Sequence, residues 1–258
     1  MASATYTTQG EKDCCTVPPV VTGEYTPKGE YKAFGGLKNA YITGDKGGSM
    51  AIISVYDVFG YLPQILQGAD ILARSLRAQV IMPDFFGDFG PIPQSAYPPK
   101  TEEDHQIINK WRTSIGSFEA HIDEFYAVSD ALRAGGATKI GAVGFCWGGK
   151  LVTIAGRRAD KLDAIVSIHP GRVAADDAVE LAVPIGMFPS QGEPAADCEA
   201  FMKGLESKPF ASKNVYKYYS TMPHGWAAAR ANFADEENLK EYKDVYARAT
   251  AFFKNALN

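Results

Sequence analysis

The sequence predicts an α/β protein: a mostly parallel central sheet with helices on both faces. Three observations predict it. Short runs rich in Val, Ile and aromatic residues alternate with segments of helical period, the order of a repeated strand–helix unit. Most of those runs are apolar throughout, as in strands covered on both faces, and do not alternate with polar residues. The chain of 258 residues, 46% apolar and 22% charged, shows no repeat and no break in composition, which suits one large domain with a substantial core.

Residues 1–30 are rich in Thr, Gly and Pro and lack a helical period, so they are expected to form an arm packed on a single domain over 31–258. "LKNAYIT", "GDKGG" and "MAIISVY" read as strand, turn and strand ending at Tyr56. "PQILQGADILARSL" puts Ile65, Ala69, Leu72, Ala73 and Leu76 on one helical face, with Pro63 suited to the first turn. "QVIMPDFF" is a buried strand stopped by Pro83. From Gly87 to about Lys110, Pro91, Pro93, Pro98 and Pro99 interrupt any period. Little regular structure is expected there, in a lid, a binding loop or an interface. "SFEAHIDEFYAVSDAL" makes an amphipathic helix through Phe118, Ile122, Phe125 and Leu132, ended by Gly135 and Gly136. "KIGAVGF" is the next strand and Gly148 to Arg157 the next helix. "LDAIVSIH", "VPIGMF" and "NVYKYYS" follow as strands, with a helix around Ala196 to Leu205 between the last two. A final helix starts near Asp235 and buries Leu239, Tyr242, Val245, Ala249 and Phe252.

Composition removes several classes of function. The net charge of −4 is spread along the chain with no basic stripe, which argues against nucleic acid as a partner. "MASATYTTQGEKDCC" lacks the apolar core of a signal peptide, and no run is long enough to span a bilayer. A cytoplasmic protein acting on a small molecule is expected, as monomer or homodimer. The cysteines are Cys14, Cys15, Cys146 and Cys198. Adjacent Cys14 and Cys15 lack the spacing of a metal knuckle, and four thiols in this length make no disulfide scaffold, so neither metal nor cofactor is expected.

The chemistry centres on "VGFCWGG", Val143 to Gly149. An apolar strand passes into a helix through Cys146, with Gly144 two residues before it and Gly148 two after, the spacing of a nucleophile elbow with cysteine in place of serine. Such a turn holds the central side chain at the carboxyl end of the strand, where open α/β sheets bind ligands. It also sets Cys146 at a helix N-terminus, which favours thiolate. The plain alternative, a buried cysteine in a turn, does not require glycine on both sides.

A thiol nucleophile needs a base, and on an elbow fold nucleophile, acid and histidine follow in that chain order. His105 and His121 precede Cys146. His169 closes the next strand, where it can lie near the site, but no acid-bearing loop separates it from Cys146. His224, in "YYSTMPHGWAAAR", follows the last strand as a base should. The loop after "VPIGMF" supplies the acid. Glu193, just past a Ser-Gln-Gly turn, is favoured over Asp197, which starts a helix and has an ordinary capping explanation. An oxyanion hole would take the N–H of Trp147 and that of Val58 in "SVYDVFGY". Beside it, Asp57 reads from position alone either as a turn acid bonded to its own backbone or as a participant.

"YDVFG", "PDFF", "GFCWGG" and "PHGW", spaced as they are from about Glu30 to the C-terminus, resemble the dienelactone hydrolase family of α/β-hydrolases. The N-terminal "CCTVPPV" and "GEYTPKGEY" are similar to its fungal cytosolic branch. The resemblance implies an α/β-hydrolase fold and a Cys-His-Asp triad, placed here on Cys146, His224 and the acid position where this sequence has Glu193. It also implies that a carboxylate at Asp57, usually glutamate in bacterial members, contacts the thiol. Bacterial members carry an arginine soon after "PD" that holds a substrate carboxylate; here Asp88 stands in that stretch. Arg230 could serve as the second substrate arginine, at longer spacing. The expected activity is therefore hydrolysis of a small ester or enol lactone through an acyl-enzyme, on a substrate other than dienelactone that can lack the carboxylate the missing arginine would hold. Tyr56, Phe59, Phe86, Trp147 and Trp226 are expected to form an aromatic wall. The altered acids keep a second reading open, isomerisation, cyclisation or binding of a polyunsaturated ligand. A redox-sensing thiol is the third, without a resolving cysteine nearby in sequence.

Overall fold

The computed structural model describes residues 17–258. Cys14 and Cys15 lie outside the described residues. Eight strands form one sheet in the order β1-β2-β4-β3-β5-β6-β7-β8. They are β1 (Glu30–Phe34), β2 (Leu37–Thr43), β3 (Met50–Val55), β4 (Gln79–Pro83), β5 (Lys139–Phe145), β6 (Ala164–Ile168), β7 (Ile185–Phe188) and β8 (Val215–Tyr216). β2 runs antiparallel to its neighbours, and every pair from β4 to β8 is parallel. The inner strands β3, β5, β6 and β7 are buried almost without interruption, as apolar runs covered on both faces should be.

The helices are α1 (Pro63–Leu76), α2 (Glu102–Ser114), α3 (Ile122–Ala134), α4 (Trp147–Ala155), α5 (Asp177–Glu180), α6 (Ala195–Gly204) and α7 (Glu236–Ala256). α1 begins on Pro63 and ends at Arg77, whose left-handed backbone lets its N–H reach Ala73 O. Asp235 caps α7 by accepting from Asn238 N at 3.0 Å. Of the expected inward face of α7, Leu239 is only half-buried, and Asn238 turns inward instead to donate to Trp226 O. Residues 17–29 lie along α1: Val21 and Gln67 exchange two hydrogen bonds, and Tyr25 Oη donates to Asp70 at 2.6 Å.

Three segments depart from the sequence reading. β1 is a strand where the arm was expected to end; its exposed residues show no alternation, and its pairing with β2 alone defines it. The expected strand "NVYKYYS" is regular only over β8, followed by a single bridge between Ser190 and Tyr219. Opposite it, Pro189 has no N–H to continue the ladder. The stretch from Gly87 to Lys110, expected to be irregular, contains two short 3₁₀ turns and most of α2. There Thr101 accepts from Asp104 N at 3.1 Å and Asp104 accepts from Thr101 N at 3.0 Å, a capping box whose cap residue lies two residues after the last proline.

Candidate active site

The carboxyl ends of β3, β5, β6 and β7 and the loop after β8 converge on Cys146. The residue has φ 52 and ψ −113, a region that non-glycine residues seldom occupy, and starts α4 directly. The turn closes because of its glycines. A Cβ on Gly144 would lie 2.0 Å from Gly148 O, and one on Gly148 would lie 2.3 Å from Val55 O. The next loop clamps the strained residue: Cys146 N donates to Ile168 O at 3.2 Å, and Gly171 N donates to Cys146 O at 2.8 Å.

His224 is brought to this turn from the far side of the sheet. Its Nδ1 lies 2.5 Å from Glu193 Oε1. The other carboxylate oxygen of Glu193 accepts from Ser190 N at 2.6 Å and Ser190 Oγ at 3.0 Å, so both oxygens are held. Ser190 opens the Ser-Gln-Gly turn, and its role comes half from backbone, which a sequence does not reveal. Asp197 sits exposed in the first turn of α6, in the place a capping acid takes. Burial alone would push the His224 imidazole down, but the neighbouring Cys146 side chain and the Glu193 carboxylate hold it up, at about 10.

Asp57 is buried, and both its oxygens are occupied. Oδ1 accepts from Phe59 N at 2.9 Å, the two-residue turn bond, and Oδ2 accepts from Ala229 N at 3.1 Å. The second bond ties the β3 loop to the loop carrying His224. Burial pushes the Asp57 carboxyl up to about 6 against the opposing pull of those two N–H groups. Among the described residues, neither the Val58 N–H nor the Trp147 N–H meets a hydrogen-bond acceptor, and both residues border the same cavity.

That cavity measures about 400 Å³ and is lined by Cys146, His224, Asp57, Val58, Phe59 and Trp147 from the expected set. α2 and the segments beside it add Tyr97, Ile108, Trp111 and Phe118. Three aromatics expected in its wall lie elsewhere. Tyr56 is fully buried and donates to Asp84 Oδ1; Phe86 packs behind Trp111 and Trp147; Trp226 is in the core against Tyr219. Nothing in a sequence separates an aromatic facing a cavity from one facing the core. Asp88 is at the surface, paired with Lys38. Arg230 borders the cavity with its guanidinium 4.5 Å from the Tyr97 ring, and Arg112 and Arg172 border it too. No carboxylate pairs with these three arginines among the described residues. A larger open cleft of about 850 Å³ between residues 18–28 and α1 lies away from Cys146 and is lined by no cysteine, serine or histidine.

The other histidines are placed apart from this chemistry or unexpectedly close to it. His105 is exposed on α2, and His121 is held between Glu124 and Ile115 O. His169 lies beside His224.

A mostly parallel sheet with a sharp turn after β5, an acid after β7 and a histidine after β8 is the α/β-hydrolase fold. The chain belongs to the dienelactone hydrolase family, whose model matches residues 39–257. It is 33% identical over 236 residues to an uncharacterised AIM2 family protein of Schizosaccharomyces pombe, covering 90% of this chain and 93% of that one. A second AIM2 family protein of the same organism is 34% identical over 234 residues, with 89% and 92% covered. The dienelactone hydrolase of Anabaena variabilis shares the fold with a TM-score of 0.62 at 15% identity, over 89% of this chain and 97% of that chain. No described helix is long and apolar enough to cross a membrane.

Proposed function

We propose that this member of a hydrolase family cleaves a small, acidic ester or lactone through a thioester on Cys146. The observation that carries the reading is the strained Cys146 turn facing a histidine whose far nitrogen is held by a buried carboxylate. In the first half-reaction Cys146, its proton already held by His224, attacks the carbonyl carbon through Sγ. The oxygen that becomes negative accepts from the Val58 and Trp147 N–H groups. The intermediate then collapses, the C–O bond to the leaving group breaks, and His224 returns the proton to the departing oxygen. In the second half-reaction His224 takes a proton from water, hydroxide adds to the thioester carbon, and the C–S bond breaks to release the acid and leave Cys146 as thiolate beside protonated His224. Glu193 orients the imidazole and steadies its positive charge.

The charge at the cavity mouth supports an acidic substrate. The stretch after "PD" lacks an arginine, but Arg112 from α2, Arg172 from the loop after β6 and Arg230 all line the cavity. Guanidinium groups suit carboxylates in planar, two-bond geometry.

Intact-mass spectrometry after brief incubation with activated esters and enol lactones, beside Cys146→Ala and His224→Ala, tests the mechanism. An adduct mapped to Cys146 and turnover lost in both variants are expected. Folded protein with neither adduct nor turnover across the panel would refute it. For the substrate class, Arg172→Ala and Arg112→Ala should each lower kcat/KM about tenfold or more toward a carboxylate-bearing ester and leave its neutral methyl ester unaffected, from the loss of one charge-assisted pair.

A further inference from the structure

His169 has no part in the scheme above, yet it lies at its centre. It follows β6 with φ 36, is fully buried, and neither ring nitrogen has a hydrogen-bond partner among the described residues. Its ring is T-shaped against that of His224, with centroids 5.0 Å apart and planes at 64°. Phe145 packs behind it at 5.9 Å. Ile168 and Gly171, on either side of the His169–Pro170 pair, are the residues that clamp the Cys146 backbone. His169 therefore bridges the support of the thiol and the ring of the base.

A buried imidazole with both nitrogens unpaired costs free energy that an apolar ring of the same shape would avoid. The charged and titratable groups facing the two rings are Cys146 from the elbow, Glu193 from the β7–α6 loop, Asp57 from the end of β3, and Arg230. Tyr246 of α7 lies beyond Phe145. Burial, and then the neighbouring His224, push the His169 imidazole well below its ordinary range, so the proton of the pair belongs to His224.

We propose that His169 is a positioning residue acting through His224, a neutral dipole that sustains the thiolate–imidazolium pair of Cys146 and His224. Because neither nitrogen is tied, the tautomer is free. The ring proton can occupy the nitrogen remote from His224, turning the lone pair toward that ring when it becomes positive. His169 itself is fully buried, so its side of the interaction is weakly screened. The inference rests on the preceding reading only in taking Cys146 and His224 as partners.

Alkylation of Cys146 by iodoacetamide, followed by peptide mass spectrometry across pH, reads the pair without requiring turnover. In His169→Phe the midpoint should rise by about one pH unit, lowering the rate about tenfold at a pH below it. His169→Asn, polar and tolerant of positive φ, should recover part of the loss. Coincident profiles for wild type and a folded His169→Phe would overturn the proposal, as would a normal Phe variant beside an impaired Asn variant, which marks packing alone. If the Phe variant fails to fold, ¹⁵N NMR of the wild-type imidazoles decides. His169 should stay neutral while its nitrogen shifts move with the alkylation midpoint; shifts that do not move there would refute the role. Wild type that alkylates along this profile but forms no acyl adduct would sink the hydrolase reading and leave this one standing.

Discussion

Glu193 shows how a single residue can be chemically conservative and geometrically exacting. Its side chain reaches from the β7 end to His224 while the second oxygen is gripped twice by Ser190, so both ends of the carboxylate are committed. Shortening it should withdraw the carboxylate from one partner or the other. Glu193→Asp is expected to cost about a hundredfold in kcat, the scale of a misplacement of about 1 Å. Glu193→Gln should cost more, on the order of 10³-fold, because an amide cannot accept from both sides and the imidazole loses its tautomer control. Stopped-flow acylation rates separate the two variants, and equal activity of Gln and wild type would remove Glu193 from the mechanism. This residue was legible in sequence as the first acid after the strand. Ser190 was not, since its contribution is half backbone.

At the scale of elements, α2 carries one wall of the cavity. Ile108, Trp111 and Arg112 reach the cavity from it, and Trp147 Nε1 donates to Gly116 O just beyond its end at 3.0 Å. The helix depends on its first turn. Thr101→Ala removes the side-chain half of the capping box, worth about 1 kcal/mol. The expected result is faster amide exchange over 102–114 with α7 unchanged, and a KM that rises more than kcat falls. A kcat loss at constant KM would mean that α2 supports the chemistry and not the substrate. The elbow was legible because its glycines are required by contacts within one turn, whereas α2 was masked by the four prolines before it. Its one sequence signal was Thr101 three residues before Asp104. The arginines were legible only in part, because they come from segments far apart in the chain and meet only at the carboxyl edge of the sheet.

The whole molecule places two groups at that edge whose deprotonation lowers its stability in different ranges of pH. Asp57 stands at about 6, above its ordinary 3.8, so the folded state holds its proton more tightly than the unfolded chain does. Its contribution favours the fold at low pH and is lost as pH rises from about 4 to about 6. His224 stands at about 10 against an ordinary 6.5, the direction of a group charged by its partners. Its contribution is complete below about 6.5 and is lost as pH rises toward 10. The two losses add in sequence, so urea midpoints should decline from mildly acid to alkaline pH, in two steps. Asp57→Asn should flatten the acid step. His224→Gln should flatten the alkaline step, and Cys146→Ala should reduce it, because the thiol side chain is one of the two groups holding the imidazole up. Parallel profiles for wild type and His224→Gln between pH 7 and 10 would show that His224 gains nothing from its partners in the folded state, and with that the electrostatic basis of the proposed base would fall.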